Sequence, residues 1–466
     1  MAIASAAILC LATGLLVVSL GLGRGFGDAS SLLLRACLSA GFGLAAFSVT
    51  YFLARVSGFV WLWRIDLAVF AILLGAYLLV RNRSTITVTG SNHHQQESAP
   101  RWLSVAFLAA LGAALCSAII RALGHPYGSG WDSFAIWNLH ARFLYRGGVH
   151  WQDGFSPLIP WSHPDYPLLL PATVAHFWTV LGHETPAVSA VIGLIFTFIT
   201  AGLLSSALDI LSGRTSALLG GLALLSSPFF IELGTWQYAD VPLSFFILAT
   251  LVFLHLQDSP GMMALAGLAA GLGAWTKNEG ILFVCALLVS RLVARTRHPV
   301  SSNNGDPVGR FSSVWLLFTL IPVLCMVGFF KRFIAPPGDL FSDAPTMLQK
   351  LADPMRYWAV LRWYGKEFLR FGNWLVLPIP LLMVFLYFIF GAKTRSRANP
   401  RLQASALALG LTLSGYFFIY LITPYDIYWH LRFSLARLFI QVWPSAIFLF
   451  FLKLGPELSE VAVREP

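Results

Sequence analysis

Asp132 stands in GHPYGSGWDSFAIWNLHARFLYRGG (124–148), just after a long apolar run and between Trp131 and Ser133. A carboxylate at that depth can serve as a base for a reaction at a membrane surface, with one partner held by lipid and the other arriving from water. Four more polar clusters break apolar sequence in the same way. WSHPDYPLLLP (161–171) carries His163 and Asp165, and its two X-Pro steps force an extended turn. ELGTWQYADVPL (232–243) carries Glu232 and Asp240, and WTKNEG (275–280) carries Lys277 and Glu279 in a hinge with hardly any loop. TPYDIYWHLRFSLARLFIQ (423–441) carries His430 and Arg437. Those two are seven residues apart, so a continuous helix puts them on one face. Ionisable groups at membrane depth are costly unless paired or facing water. Lys277 and Glu279 either pair with each other or border a polar cavity shared with Asp132 and Asp240. Arg437, at the start of the final span, either snorkels to the headgroups or binds phosphate.

The elements that position these residues follow from composition. The chain has 466 residues, of which 57% are hydrophobic and only 11% are charged. A soluble domain carries about 25% charged residues, so most of this surface must face lipid, and the protein is an all-α polytopic membrane protein. Its net charge of +10 is better explained by basic loops that orient spans than by nucleic acid. The five cysteines (Cys10, Cys37, Cys116, Cys285, Cys325) are dispersed in apolar runs and read as packing residues rather than a disulfide framework. Six of the eleven histidines fall between 125 and 183 without a His-x-His or His-x3-His pair, a pattern that does not point to zinc.

About 13 runs are apolar enough to cross a bilayer, near 3–22, 32–53, 59–80, 102–122, 186–211, 215–231, 241–257, 261–276, 280–297, 312–333, 373–391, 402–423 and 437–454. The first has no basic segment before it and no cleavage signal, and reads as a retained span. The basic loops 81–101, 291–310 and 393–401 should be cytoplasmic, which leaves the stretches 123–185 and 334–372 outside together with all five polar clusters. Segment 168–182 is too short to cross and is expected to form a juxtamembrane or re-entrant helix. Gly267 and Gly271 form a G-x-x-x-G that favours close helix packing.

In chain order and sidedness these clusters resemble the GT-C superfamily of integral membrane glycosyltransferases. The likeness is greatest to the bacterial branch related to protein O-mannosyltransferases and lipid A aminoarabinose transferases, over roughly residues 100 to 440. The resemblance implies a GT-C-like bundle whose long first extracytoplasmic loop contains juxtamembrane helices. It matches Asp132 to the family's catalytic base, HPDYPLLLP to its Pro-containing juxtamembrane segment, Asp240 to a second acid, and Lys277 to Gly280 to its TK-x-x-G hinge. The chain then divides into accessory N-terminal helices and a cytoplasmic loop (1–100), a catalytic domain (101–455) and a cytoplasmic tail (456–466). The implied donor is a sugar on a polyprenyl phosphate, and the acceptor a hydroxyl of a glycan, lipid or protein. The implied location is the plasma membrane (a bacterial inner membrane), with the site outside. On this reading Asp165, His163, Asp240, Lys277, Glu279, His430 and Arg437 bind substrate, with Arg437, Lys277 and His430 in that order as cations for the leaving phosphate. Many relatives carry an acid beside the first one, where this chain has Ser133. The resemblance fixes no cofactor and leaves a divalent cation open. No Gly-rich phosphate loop is present. The rival readings are a lipid or glycan transporter or flippase, and a lipid-linked polysaccharide ligase or polymerase of another fold.

Overall fold

Helix starts are written into the chain as a capping residue followed by proline. Thr185, Ser259, Asp353 and Asn399 each accept a hydrogen bond from a backbone N–H of the first turn they open, and Pro186, Pro260, Pro354 and Pro400 follow them. The cap satisfies an orphan donor, and the proline occupies a position whose N–H would be unpaired anyway. The computed structural model describes residues 2–22, 29–80, 99–297, 308–338, 340, 344–374, 377–391 and 399–464. Among these there is no strand.

The chain begins with α1 (Ala2–Leu22), α2 (Ala29–Ser57), α3 (Leu62–Val80) and α4 (Arg101–Gly124). A short helix follows that opens with a π-turn over Ser133–Trp137 and continues as α5 (Asn138–Arg146). Next come α6 (Leu169–Leu181), α7 (Pro186–Ser212), α8 (Arg214–Leu225), α9 (Pro228–Thr235), α10 (Asp240–Leu256), α11 (Pro260–Thr276) and α12 (Asn278–Arg297). The remainder is α13 (Val308–Phe333), α14 (Ala344–Ala352), α15 (Pro354–Arg370), α16 (Ile379–Leu386), α17 (Pro400–Ile422) and α18 (Ile427–Arg464). This is an all-α polytopic membrane protein.

Each of the 13 apolar runs is helical wholly or in part, but they are not alike. Eight helices among the described residues are long and apolar enough to cross a membrane, or up to nine if a bent pair counts as one span. The bent pair corrects the run 215–231: α8 and α9 meet at 64°, so Glu232 lies on α9 and the loop before α10 shrinks to 236–239. The run 373–391 is helical only from Ile379 onward. The basic segments 81–98, 298–307 and 392–398, on which the expected orientation leans, lie outside the described residues.

Helix α10 is the centre of the bundle. It is apolar all round, and every residue from Asp240 to Leu254 is buried, packed against α7, α11 and α18. A helix surrounded by protein has no polar face to give to water. At 17 residues it is about 26 Å long, short of the roughly 30 Å hydrocarbon core, so its N-terminus is set at one depth while the longer α7 and α18 run past it. Helices α1 and α2 belong to the same core: Phe42, Phe47 and Phe52 of α2 are buried, and α2 packs on α6 and α7. Asp66 of α3 accepts a hydrogen bond from Thr50 Oγ1 of α2 (2.8 Å) and pairs with His176 of α6 (2.9 Å). Helix α6 has 13 residues, nearly all buried, against α2 and α5. Gly267 allows α11 to lie directly on α13, since a Cβ there would sit 2.0 Å from the Leu316 carbonyl oxygen. Two cysteines, Cys10 and Cys37, do pack in the core, but Cys116, Cys285 and Cys325 are exposed on the outside of the bundle. Their runs are helices with one face toward lipid, a surface on which a small apolar side chain is at no disadvantage.

Candidate active site

All five polar clusters meet at one end of the bundle, and four of them share one charge network. Asp132 sits in the first turn of the helix that leads into α5, beyond the turn that follows α4. A helix N-terminus favours a carboxylate, and π-turns are frequent at functional sites. Asp240 is the first residue of α10, Lys277 joins α11 to α12, and Glu279 lies in the first turn of α12. Arg437 comes from the third turn of α18.

These side chains form one connected network. The Arg437 guanidinium engages both acids: Nη2 lies 2.8 Å from Asp132 Oδ2 in an ion pair and donates to Asp240 Oδ2 at 3.0 Å. Lys277 Nζ bridges Asp240 Oδ1 at 2.9 Å and Glu279 Oε1 at 2.8 Å. Gln441, one turn beyond Arg437, donates from Nε2 to Asp240 Oδ1 at 2.5 Å. Of the two alternatives for the WTKNEG hinge, the pairing is seen: Lys277 pairs with Glu279, and it also reaches Asp240. Burial opposes ionisation of Asp240, but Arg437, Lys277 and Gln441 outweigh it and hold the carboxyl below its usual range. Burial likewise favours a neutral Lys277, yet Asp240 and Glu279 keep it protonated to higher pH than an ordinary lysine. The acids differ in access. Asp240 is fully enclosed, whereas the Asp132 side chain keeps 19% of its surface open.

Tyr238 ties the parts together. Its ring lies under the Arg437 guanidinium, 4.5 Å from carbon to centroid, and its hydroxyl accepts the backbone N–H of Asp132 at 3.3 Å. Gly130 makes room for that hydroxyl, because a Cβ there would lie 1.9 Å from it. Asn138 of α5 donates to Gln237 Oε1 at 2.8 Å, which fixes the helix carrying Asp132 to the loop before Asp240.

The other expected residues are placed differently. Arg437 does not begin a span at the lipid surface: α18 starts ten residues earlier, at Ile427, and turns Arg437 inward onto two carboxylates. Helix α18 does run continuously through His430 and Arg437, but His430 bonds Thr423 Oγ1 at 2.8 Å and, among the described residues, makes no hydrogen bond or ion pair with the acid network. Asp165 belongs to an adjoining cluster. It accepts from Lys331 Nζ of α13 at 3.1 Å and from Asn278 Nδ2 at 2.8 Å, while Lys331 also donates to Asn278 Oδ1 at 2.6 Å. His163 stacks on Tyr166 with centroids 4.9 Å apart. Tyr166 in turn stacks on Trp137 at 5.6 Å and lies 5.8 Å from Lys277 Nζ.

Tyr238, Gln441, Tyr166 and Lys331 were not singled out by the sequence reading. Gln441 had a signal, an amide inside the apolar run LFIQVW, where an unpaired polar group is costly. Lys331 had the weakest, since a basic residue at a span end is ordinary. Among the described residues no group of three or more His, Cys, Asp and Glu side chains could hold a metal ion. The acids of this site converge on Arg437 and Lys277 instead of on one another.

Residues 163–325 match the family described as dolichyl-phosphate-mannose-protein mannosyltransferase. The matched segment contains Asp165, Asp240, Lys277 and Glu279, while Asp132 and Arg437 lie on either side of it. No curated protein and no solved structure matches the chain. The likeness supports a membrane glycosyltransferase of the GT-C type.

Proposed function

We propose that this protein transfers a sugar from a polyprenyl-phosphate donor to a hydroxyl of a glycan, lipid or protein acceptor, on the extracytoplasmic side of the plasma membrane. The observation that carries this reading is the pairing of a partly open Asp132 with a fully enclosed Asp240 through one guanidinium. Asp132 is the general base. It takes the proton of the acceptor oxygen as that oxygen forms its bond to the anomeric carbon, the sugar–phosphate bond breaks, and configuration inverts. The electron pair of the broken bond leaves on the lipid phosphate. A transition state of oxocarbenium character deprotonates the acceptor late, so a weakly basic carboxylate suffices. Asp240 does not reach the acceptor; it holds Arg437 and Lys277, the two cations nearest Asp132, at a fixed depth where they face the charge that develops on phosphate.

Fixed charges held by the fold need no reorganisation during reaction. The test is release of polyprenyl phosphate from a radiolabelled lipid-linked sugar by purified protein in nanodiscs. Movement of the intact lipid-linked sugar between leaflets without release would favour a flippase instead.

A further inference from the structure

Resting on the transferase reading, a sugar contact can be identified from what the polar network leaves unused. In the network three carboxylates (Asp132, Asp240, Glu279) share two cations (Arg437, Lys277), and both cations are engaged by carboxylates. A neutral ligand group must therefore find its partners elsewhere. Glu279 uses Oε1 for Lys277, but its Oε2 is buried and accepts nothing from the described residues. A buried carboxylate oxygen without a donor is costly, by more than a neutral group would be. Tyr166 stands on the same lysine, its ring centroid 5.8 Å from Lys277 Nζ and held between Trp137 and His163, and its hydroxyl makes no hydrogen bond among the described residues.

The Tyr166 hydroxyl is a good donor for this place. Burial, followed by the nearby carboxylates with Glu279 foremost, raises its pKa well above that of an ordinary tyrosine, so the phenol keeps its proton. Its position is fixed from two directions. The stack fixes the ring, and Lys331 and Asn278 clamp the preceding residue, Asp165. A donor and an acceptor, each rigid and each unpartnered, suit a hydroxyl group, which accepts one hydrogen bond and donates one.

We propose that Tyr166 and Glu279 together hold one hydroxyl group of the sugar that is transferred, the phenol donating to the sugar oxygen and Glu279 Oε2 accepting its proton. Both residues are then sugar-selecting, and the transferred unit must carry a hydroxyl at the position they read. Sites that hydrogen-bond a substrate hydroxyl discriminate strongly against analogues lacking it, because their own polar groups are left unpaired.

The experiment uses full-length protein in nanodiscs with polyprenyl-phosphate-linked glucose, mannose, galactose and arabinose, followed by monodeoxy derivatives of the sugar that the wild-type protein transfers. Tyr166→Phe keeps the ring stack and Glu279→Gln keeps the size, and a single cooperative melting transition for each confirms that both fold. Each should lower kcat/KM for the parent donor by about tenfold or more. One monodeoxy donor should be about as poor for the wild-type protein, and on that donor neither variant should lose anything further. Equal losses on every deoxy donor, or none on any donor, would overturn the proposal while leaving the transferase reading intact. Failure of the wild-type protein to release polyprenyl phosphate from any of the four donors would overturn the transferase reading, and this inference with it.

Discussion

The two ends of the bundle treat charge in opposite ways. At the end described above, Asp240 and Lys277 are buried and Arg437 nearly so, and each of these three has two charged partners. At the other end Arg214 pairs with Asp209 at 3.0 Å and Arg401 with Asp258 at 3.4 Å, with both arginines about half exposed. Those pairs are single, and water and salt screen them. An exposed pair contributes little to stability and is replaceable. A buried pair must overcome desolvation of both ions, so it persists only where geometry and extra hydrogen bonds offset that cost. The difference teaches where the chain has used its few charges for placement rather than for solubility.

The largest expected effect separates chemistry from architecture. Asp132→Asn keeps the size and loses the basicity, and should lower turnover by about 10²- to 10⁴-fold, with melting temperature in detergent unchanged. Asp209→Asn at the opposite end should leave turnover at the wild-type rate. Normal transfer by Asp132→Asn, in an assay where Asp240→Asn is inactive, would move the base to Asp240; if neither substitution slowed transfer, the transferase reading would fall.

Next in size is the loss of a buried cation. Arg437→Ala leaves an enclosed Asp240 short of its partner and should destabilise by about 3–5 kcal/mol, as when one member of a buried pair is removed. Arg401→Ala should cost less than about 1 kcal/mol. Comparing thermal unfolding of the two in detergent checks the contrast directly. Arg437→Lys should restore part of the stability and part of the turnover, since a lysine cannot reproduce a fork that reaches two carboxylates. Equal shifts for Arg437→Ala and Arg401→Ala would erase the distinction between the ends.

Acid should act on the same end. Asp240 has a lowered folded pKa, so its contribution to stability is present above the unfolded carboxylate value of about 3.9 and is lost as pH falls toward the folded value. Melting temperature should therefore drop below about pH 4, and the drop should be smaller in Asp240→Asn. Identical acid profiles for the two proteins would place the acid-sensitive group elsewhere.

The smallest effect concerns sidedness and leaves activity untouched. Single cysteines at Ser91 and Ser156, in a protein freed of its native cysteines, should react with an impermeant maleimide from opposite sides of the membrane. Labelling of both from one side would invert the assignment of the charged end to the outside.

Much of this architecture was legible in residue order. Low charge and long apolar runs specify a membrane bundle. The Thr-Pro, Ser-Pro, Asp-Pro and Asn-Pro pairs mark helix starts, and Gly267 and Gly271 mark a close helix contact. The polar clusters at Asp132, Asp240, Lys277 and Arg437 were visible because charge is rare in such sequence and therefore informative. Other features were not visible, because they depend on contacts between segments far apart in the chain. The Ser227-Pro228 step looks the same whether the helix continues straight or bends, and only packing bends α8 from α9. Likewise, apolar runs do not reveal which face meets lipid, so Cys116 and Cys37 read alike.

By itself, the sequence determined that the chain is helical and membrane-embedded, and that its rare charges fall in a few clusters, because hydrophobicity and capping act locally. Tertiary structure alone decided which charges meet. Asp165 and Asp240 both neighbour aromatic and proline residues, yet one turns to Lys331 and the other to Arg437 and Lys277. His430 and Arg437 share one face of α18, but only Arg437 lies at the depth of the α10 N-terminus. That depth is set by how a short, fully enclosed helix seats between the longer α7 and α18, a property of the packed bundle that no local stretch of residues contains.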